Sequence, residues 1–254
     1  MLDITLTYKF WFFKIKGSGK HPEKFSELNQ KQLNAVFDFF DKKLSENKLI
    51  STILKINRFL VKRLDAYHRL RLSEFLSNSL DIDKPCSSFI INQLKLKGKV
   101  FLSPGDALKG VSFGRFVFIE TYFLLFEKDK DDEAFNKFLA ALYVEQDKVF
   151  TEKTVDNFRY FKKLSPSTKS AIYYNYKLLR NWLRTKYTWI YQSWDDKEEA
   201  KKYDVKDVNV KVWLSFRDNI IGDDIINEDK YDQLPAGNVL SYINRKIKLN
   251  NMKN

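Results

Sequence analysis

The sequence predicts a mainly α fold, a helical domain carrying a small β element formed by the N-terminal segment and a central hairpin. Three observations lead there. Apolar residues recur at three- and four-residue spacing over most of the chain after Ser26, the period of a helix with one buried face. The first 15 residues alternate instead, with Leu2, Ile4, Leu6, Tyr8 and Phe10 on one parity, the period of a strand. The 254 residues are 44% hydrophobic and 16% aromatic, enough to bury a large core and too apolar for a disordered chain.

Each element follows in order. Residues 2–15 read as a strand or short hairpin, and Gly17-Ser18-Gly19 with His21-Pro22 as the loop after it. Ser26 is the expected N-cap of a first helix, with Leu28, Val36, Phe37, Phe40 and Leu44 on its apolar face. One helix is expected over Ile50–Leu76, and Asp81-Ile82-Asp83-Lys84-Pro85 ends the pattern, because proline removes a donor and biases Lys84 away from helix. Phe89-Ile90-Ile91 and Val100-Phe101-Leu102 are strand-like runs on either side of Gly98, followed by a turn at Ser103-Pro104-Gly105-Asp106. Together they suggest a hairpin that pairs with the N-terminal strand, so strands are expected only in 1–16 and 87–102.

From Ser112 onward the period is helical. Helices are expected over 113–127, about 132–144 and about 151–163. Another starts at Pro166, where a missing amide hydrogen costs nothing, and runs to about Tyr187. Val208–Ile221 is closed by Gly222, and Leu234-Pro235 opens a last helix to about Leu249. The change of period divides the chain into an α+β region, 1–110, and a helical region, 111–254, or makes them parts of one continuous domain.

The chemistry-bearing residues exclude most catalytic classes. Two histidines, His21 and His68, and one cysteine, Cys86, supply neither a three-histidine metal site nor a disulfide framework. Gly110-Val111-Ser112-Phe113-Gly114 lacks the Gly-Lys-Ser/Thr ending of a phosphate-binding loop. In the acidic run Asp218, Asp223, Asp224, Glu228, Asp229, a calcium loop starting at Asp218 would need oxygen side chains where Ile220 and Gly222 stand. No catalytic residue, metal site or cofactor is expected, and the chain reads as a non-enzyme. Asp3, Lys9, Lys14 and Lys16 interrupt any leader-like apolar core. The longest apolar stretch, Phe116–Phe126, contains Glu120 and is too short for a membrane span. A cytosolic protein is the expectation.

The net charge is +12, which favours polyanionic contacts without choosing among them. Lys95, Lys97, Lys99, Lys109 and Arg115 cluster against Asp106 alone. Lys177, Arg180, Arg184 and Lys186 share one helix face, interleaved with Tyr173, Tyr174, Tyr176, Trp182, Tyr187, Trp189 and Tyr191. Three readings rank in order: a buried stripe with a solvated basic face, an acidic protein partner, and nucleic acid. The excess of rings favours an interaction site. At about 100° per residue, Tyr173 and Tyr174 cannot both align with Ile172, Tyr176, Leu179 and Leu183. The candidate partner-binding face is therefore Tyr173, Tyr174, Trp182, Trp189, Tyr191 and Trp194, with Lys177, Arg180 and Arg184 around it.

Three runs in the same order carry a family resemblance. The first is Ser112-Phe113-Gly114-Arg115-Phe116-Val117-Phe118-Ile119-Glu120-Thr121-Tyr122-Phe123. The second is Phe138-Leu139-Ala140-Ala141-Leu142-Tyr143, and the third Leu164-Ser165-Pro166-Ser167-Thr168-Lys169-Ser170-Ala171-Ile172. Their order resembles a group of small helical proteins encoded among the virion and tail-assembly genes of tailed phages and prophages of gut bacteria. The resemblance covers 112–187 and rests on mostly apolar motifs. It implies a tail-assembly-chaperone-like or minor virion protein that binds a tail or virion component, acidic or helical. It places the chain in the host bacterial cytoplasm during assembly, or in the virion, away from membranes. A structural tail, connector or ring protein, a self-associating one, and a basic nucleic-acid-binding module are the alternatives.

Overall fold

The computed structural model describes residues 2–10, 13–62, 64–79, 84–191 and 212–252. The chain is mainly helical, with two small antiparallel sheets. The first region comprises β1 (Leu2–Phe10), β2 (Phe13–His21), α1 (Gln30–Phe40), α2 (Glu46–Leu54), α3 (Arg58–Val61) and α4 (Ala66–Ser79). Then come β3 (Gln93–Leu96), β4 (Lys99–Leu102), α5 (Phe113–Asp129), α6 (Asp132–Leu142), β5 (Val144–Glu145) and α7 (Phe158–Phe161). The rest is α8 (Pro166–Lys186), α9 (Val212–Ile221), α10 (Glu228–Gln233) and α11 (Ala236–Asn251). Two compact units interleave along the sequence. The first is Met1–Ile91 with Leu164–Trp182, and the second is Asn92–Lys163 with Leu183–Asn254. The boundary at 110/111 expected from the change of period falls inside the second unit.

In the first unit β1 and β2 pair over their whole length, from Leu2↔His21 to Phe10↔Phe13. Gly17-Ser18-Gly19 is thus not a loop but the middle of β2, and strand structure runs past residue 16. A Cβ on Gly17 would lie 2.2 Å from Leu60 Cδ1, and one on Gly19 2.5 Å from the Leu54 carbonyl oxygen. These glycines serve close backbone approach, the other use of glycine in a strand.

The first helix begins at Gln30, not after Ser26. Asn29 and Gln32 form a reciprocal cap: Gln32 N–H donates to Asn29 Oδ1 at 3.0 Å, and Asn29 N–H to Gln32 Oε1 at 2.9 Å. The expected Ile50–Leu76 helix is three helices. Lys55 turns left-handed at φ 56°, Asn57 Oδ1 accepts from Phe59 N–H at 2.9 Å, and Asp65 Oδ1 accepts from His68 N–H at 2.9 Å. Short polar side chains here compete with the helix for backbone groups. The apolar stripe runs through the breaks, since Ile50, Ile53, Leu54, Leu60, Val61 and Leu64 are all buried.

Phe89-Ile90-Ile91 belongs to neither sheet. It lies in an extended segment held by α8: Cys86 N–H donates to Leu178 O at 3.1 Å, and Ile90 N–H to Asn175 Oδ1 at 2.9 Å. Asn175 Nδ2 returns a bond to Ser88 O at 2.8 Å. The buried Asn175 amide supplies the donor and acceptor that a neighbouring strand would have given.

In the second unit the β3–β4 hairpin pairs with β5 through Leu102↔Val144 and Phe101↔Glu145, not with the N-terminal strand. That pairing draws Val144 out of the expected helix, and α6 stops at Leu142. The central helix α5 is apolar around most of its circumference and buries Phe113, Phe116, Val117, Ile119 and Phe123. Phe123 meets Phe138 of α6 at 5.5 Å between ring centres.

Arg115 of α5 donates from Nε to Ala141 O at 3.0 Å and from Nη2 to Leu142 O at 2.8 Å. It caps the carbonyl end of α6, where a cation is favoured. Burial lowers its pKa to about 10. Arg217 of α9 grips Asp232 of α10 with two bonds of 2.7 Å and also bonds Glu228. A Cβ on Gly114 would sit 2.7 Å from Asp232 Cγ, so that glycine makes room for the carboxylate. Val111–Phe113 and Leu234–Ala236 exchange backbone bonds of 2.7 and 2.9 Å, which seats the start of α11. The expected 151–163 helix is a 3₁₀ stretch, Glu152–Asn157, followed by the single turn α7.

Candidate interaction surface

The candidate face lies mainly on α8. Pro166 occupies its first position, Ser165 Oγ accepts from Thr168 N–H at 3.2 Å, and Arg184 and Lys186 sit at its carbonyl end. These are favourable start and stop chemistries. Ile172, Tyr176, Leu179 and Leu183 form the buried stripe. Tyr173, Tyr174 and Trp182 are half-buried at its flanks, as the 100° spacing requires. Lys177 and Arg180 are half-buried and Arg184 is exposed.

The residues divide between the two units. In the first unit Tyr174 packs between Phe25 and Phe37, at 5.8 and 5.7 Å between ring centres, and Lys177 Nζ lies 5.2 Å over the Tyr173 ring. In the second unit Tyr191 is buried and faces Trp213 at 6.3 Å, with the Arg184 guanidinium 5.9 Å from its ring centre. Tyr191 is therefore core rather than a surface anchor. Trp189 is half-buried, and its N–H and that of Ile190 donate to Asn244 Oδ1 of α11 at 3.0 and 3.2 Å. Trp194 lies outside the described residues.

The structure adds four rings to the predicted face: Phe25, Phe37, Phe39 and Phe40. Phe37 of α1 stands 6.3 Å from Phe40, which stands 6.1 Å from Phe39. With Tyr174 and Phe25 they make an aromatic ladder inside the first unit, from Phe25 at 6% exposure to Phe40 at 57%. The adjacent pair Phe39-Phe40 carries the same sequence sign as Tyr173-Tyr174: two large rings 100° apart on one helix. Beside it α1 and α2 enclose a shallow groove of about 510 Å³ lined by Lys31, Asn34, Asp38, Leu44 and Lys48.

The titratable groups make structural contacts. Asp65 accepts from the His68 backbone and ring, the latter at 2.7 Å, and these bonds hold its carboxyl below the usual range. His21 is buried, and desolvation lowers its pKa. Burial likewise pushes the Tyr143 hydroxyl well above its ordinary value. Trp213 Nε1 donates to the buried Glu120 at 3.1 Å. Asp224 accepts from Tyr231 and Asn227 in a turn. Among the described residues no group of three or more His, Cys, Asp or Glu could hold a metal ion. No described helix is long and apolar enough to cross a membrane.

Of the expected basic cluster, Arg115 is engaged with α6, while Lys95, Lys97 and Lys99 lie on the β3–β4 hairpin. Lys97 and Lys99 both lie over the Tyr160 ring, at 5.3 and 5.2 Å. Lys99 and Lys148 pair with Glu145 at 3.0 and 3.1 Å, and hold its carboxyl below the usual range. Compared with protein-family models, curated proteins and solved structures, the chain has no match.

Proposed function

We propose that this chain is a non-enzymatic assembly factor that holds a protein partner against the aromatic surface of its first unit. The observation that carries this reading is the ladder from Phe25 through Tyr174 and Phe37 to Phe40. A ring braced by neighbouring rings loses little rotamer freedom when a partner covers it, so its contact area converts efficiently into affinity. The net charge of +12 favours an acidic or amphipathic helical partner and speeds its encounter. The phage or prophage setting, tail-assembly-chaperone-like, rests on the resemblance over 112–187.

Co-expression with the products of the genes on either side tests the reading. The expected result is a stoichiometric complex with a tail or virion component. Phe40→Ala should weaken it about tenfold, ~1.4 kcal/mol, and leave the circular dichroism unchanged, because Phe40 is largely solvated in the free chain. A complex indifferent to Phe39→Ala and Phe40→Ala overturns the surface. Neighbouring genes devoted to replication overturn the assembly role.

A further inference from the structure

The second unit carries a separate basic surface that the aromatic ladder does not explain. The β3–β4 turn is Lys97-Gly98, with φ 48° and 79°. Two positive φ values match a type I′ hairpin turn, whose first central position favours Asn, Asp or Gly. A lysine there costs backbone energy, and the side chain is exposed, returning only a contact with the Tyr160 ring. Left-handed lysines also end helices at Lys55 and Lys130, but Lys97 tops a hairpin, and a strained residue there points to a use for the side chain.

The surroundings point to the same use. Lys97 and Lys99 converge on one ring, Tyr160, although like charges repel. Two residues away, Phe158 is approached by Lys162 at 5.2 Å, Arg159 at 5.9 Å and Lys137 at 5.6 Å. Lys95, Lys97, Arg159 and Lys162 form no ion pair among the described residues, whereas Glu145 is already neutralised by Lys99 and Lys148. Tyr160 is half-buried and braced by Phe101 at 5.7 Å between ring centres. The result is a set of free cations around two fixed, partly open aromatic rings.

We propose that the β3–β4 hairpin and the segment Phe158–Lys163 bind single-stranded nucleic acid. Lys95, Lys97, Arg159 and Lys162 contact phosphates, and Tyr160 takes a base on its open face. Phosphate contacts explain cations without carboxylate partners. The rings separate this ligand from an acidic peptide, because every base has a face that stacks on an aromatic side chain. They also favour a single strand, since duplex bases are already stacked on one another. On binding, Lys97 leaves the ring for a phosphate and exchanges a weak surface cation–π contact for a full ion pair, while Lys99 stays with Glu145.

Fluorescence anisotropy of the full chain with a fluorescein-labelled 20-nucleotide oligo(dT) tests this. Four phosphate contacts give a slope of log K against log salt near about −2.8. Lys95→Asn with Lys97→Asn should make that slope shallower by about 1.4 and raise Kd about tenfold or more at low salt. Folding is protected in this variant because asparagine suits the turn better than lysine. Tyr160→Leu should weaken binding about fivefold or more with the slope unchanged. The proposal is overturned if Lys246→Asn with Lys248→Asn on α11 lowers affinity as much, which would mean net charge alone is at work. It is also overturned if the hairpin variant leaves the slope intact, or if poly-glutamate competes as well as unlabelled oligo(dT).

Discussion

The two units fasten their distant segments with different chemistry. In the first, the buried amide of Asn175 on α8 holds the extended stretch around Ser88 and Ile90, which lies more than 80 residues earlier in the chain. In the second, guanidinium groups do the fastening: Arg115 joins α5 to the end of α6, and Arg217 joins α9 to α10. An amide needs only its own hydrogen bonds satisfied. A charge must also be compensated for desolvation, so it tolerates less rearrangement. Each unit is therefore vulnerable in its own way: the first to loss of one neutral side chain, the second to loss of one charge.

Asn175→Leu has the largest expected effect. It strands the Ile90 N–H and the Ser88 carbonyl, and should cost about 3 kcal/mol in denaturant unfolding. A loss below about 1 kcal/mol would mean that the extended segment is held by its apolar contacts instead. Arg217→Met comes next. It leaves Asp232 and Glu228 facing each other unpaired and should cost about 2 kcal/mol, less than a fully buried pair because Glu228 is partly solvated. Gly114→Ala should act through the same contact by displacing Asp232, and combining the two should cost less than their sum.

A pH difference sharpens the contrast. Burial lowers the His21 pKa in the folded first unit, so the unfolded chain binds more protons below about 6.5. Its contribution is complete above that pH and is lost as the pH falls toward the folded pKa. Glu145 in the second unit has a depressed carboxyl pKa, so its contribution persists to lower pH and fades only below about 4.3. Hydrogen exchange at pH 7 and pH 5.5, corrected for intrinsic rates, should show earlier loosening in the first unit. His21→Gln should remove the difference. The smallest effect belongs to Lys97→Asn, which should stabilise the second unit by less than about 1 kcal/mol.

The helices that were legible in the sequence are those with strong local starts and stops. Ser112 before α5, Asp131 before α6, Pro166 and Gly222 all act within one turn of the ends they mark. What the periodicity could not show is where a stripe continues through a break, as at Lys55, because the buried residues on both sides keep the helical phase. Nor could it reveal β5, whose two residues are strand only because β4 pairs with them. Ser26 and Asn29 both fit an N-cap, and Gln32 decides between them by closing the reciprocal cap. For the interaction surface, the crowding of Tyr173 and Tyr174 correctly marked rings at the edge of a buried stripe. It could not show that Tyr191 would be enclosed by Trp213, or that Phe40 would complete the ladder, because both depend on neighbours distant in sequence.

The interleaving of the two units also orders their birth. The first unit needs Leu164–Trp182, which a ribosome delivers only after all of Asn92–Lys163. At common elongation rates of about 5–20 residues per second the intervening Asn92–Lys163 takes about 4–14 s. Through that interval Leu33, Ile53 and Val61 lack the α8 residues that share their unit, and Ser88 and Ile90 lack Asn175. A nascent chain halted before residue 164 is therefore a different object from the finished protein. It carries the whole first stretch of the second unit and a first unit without Leu164–Trp182, and seconds of exposed apolar surface are its cost of synthesis.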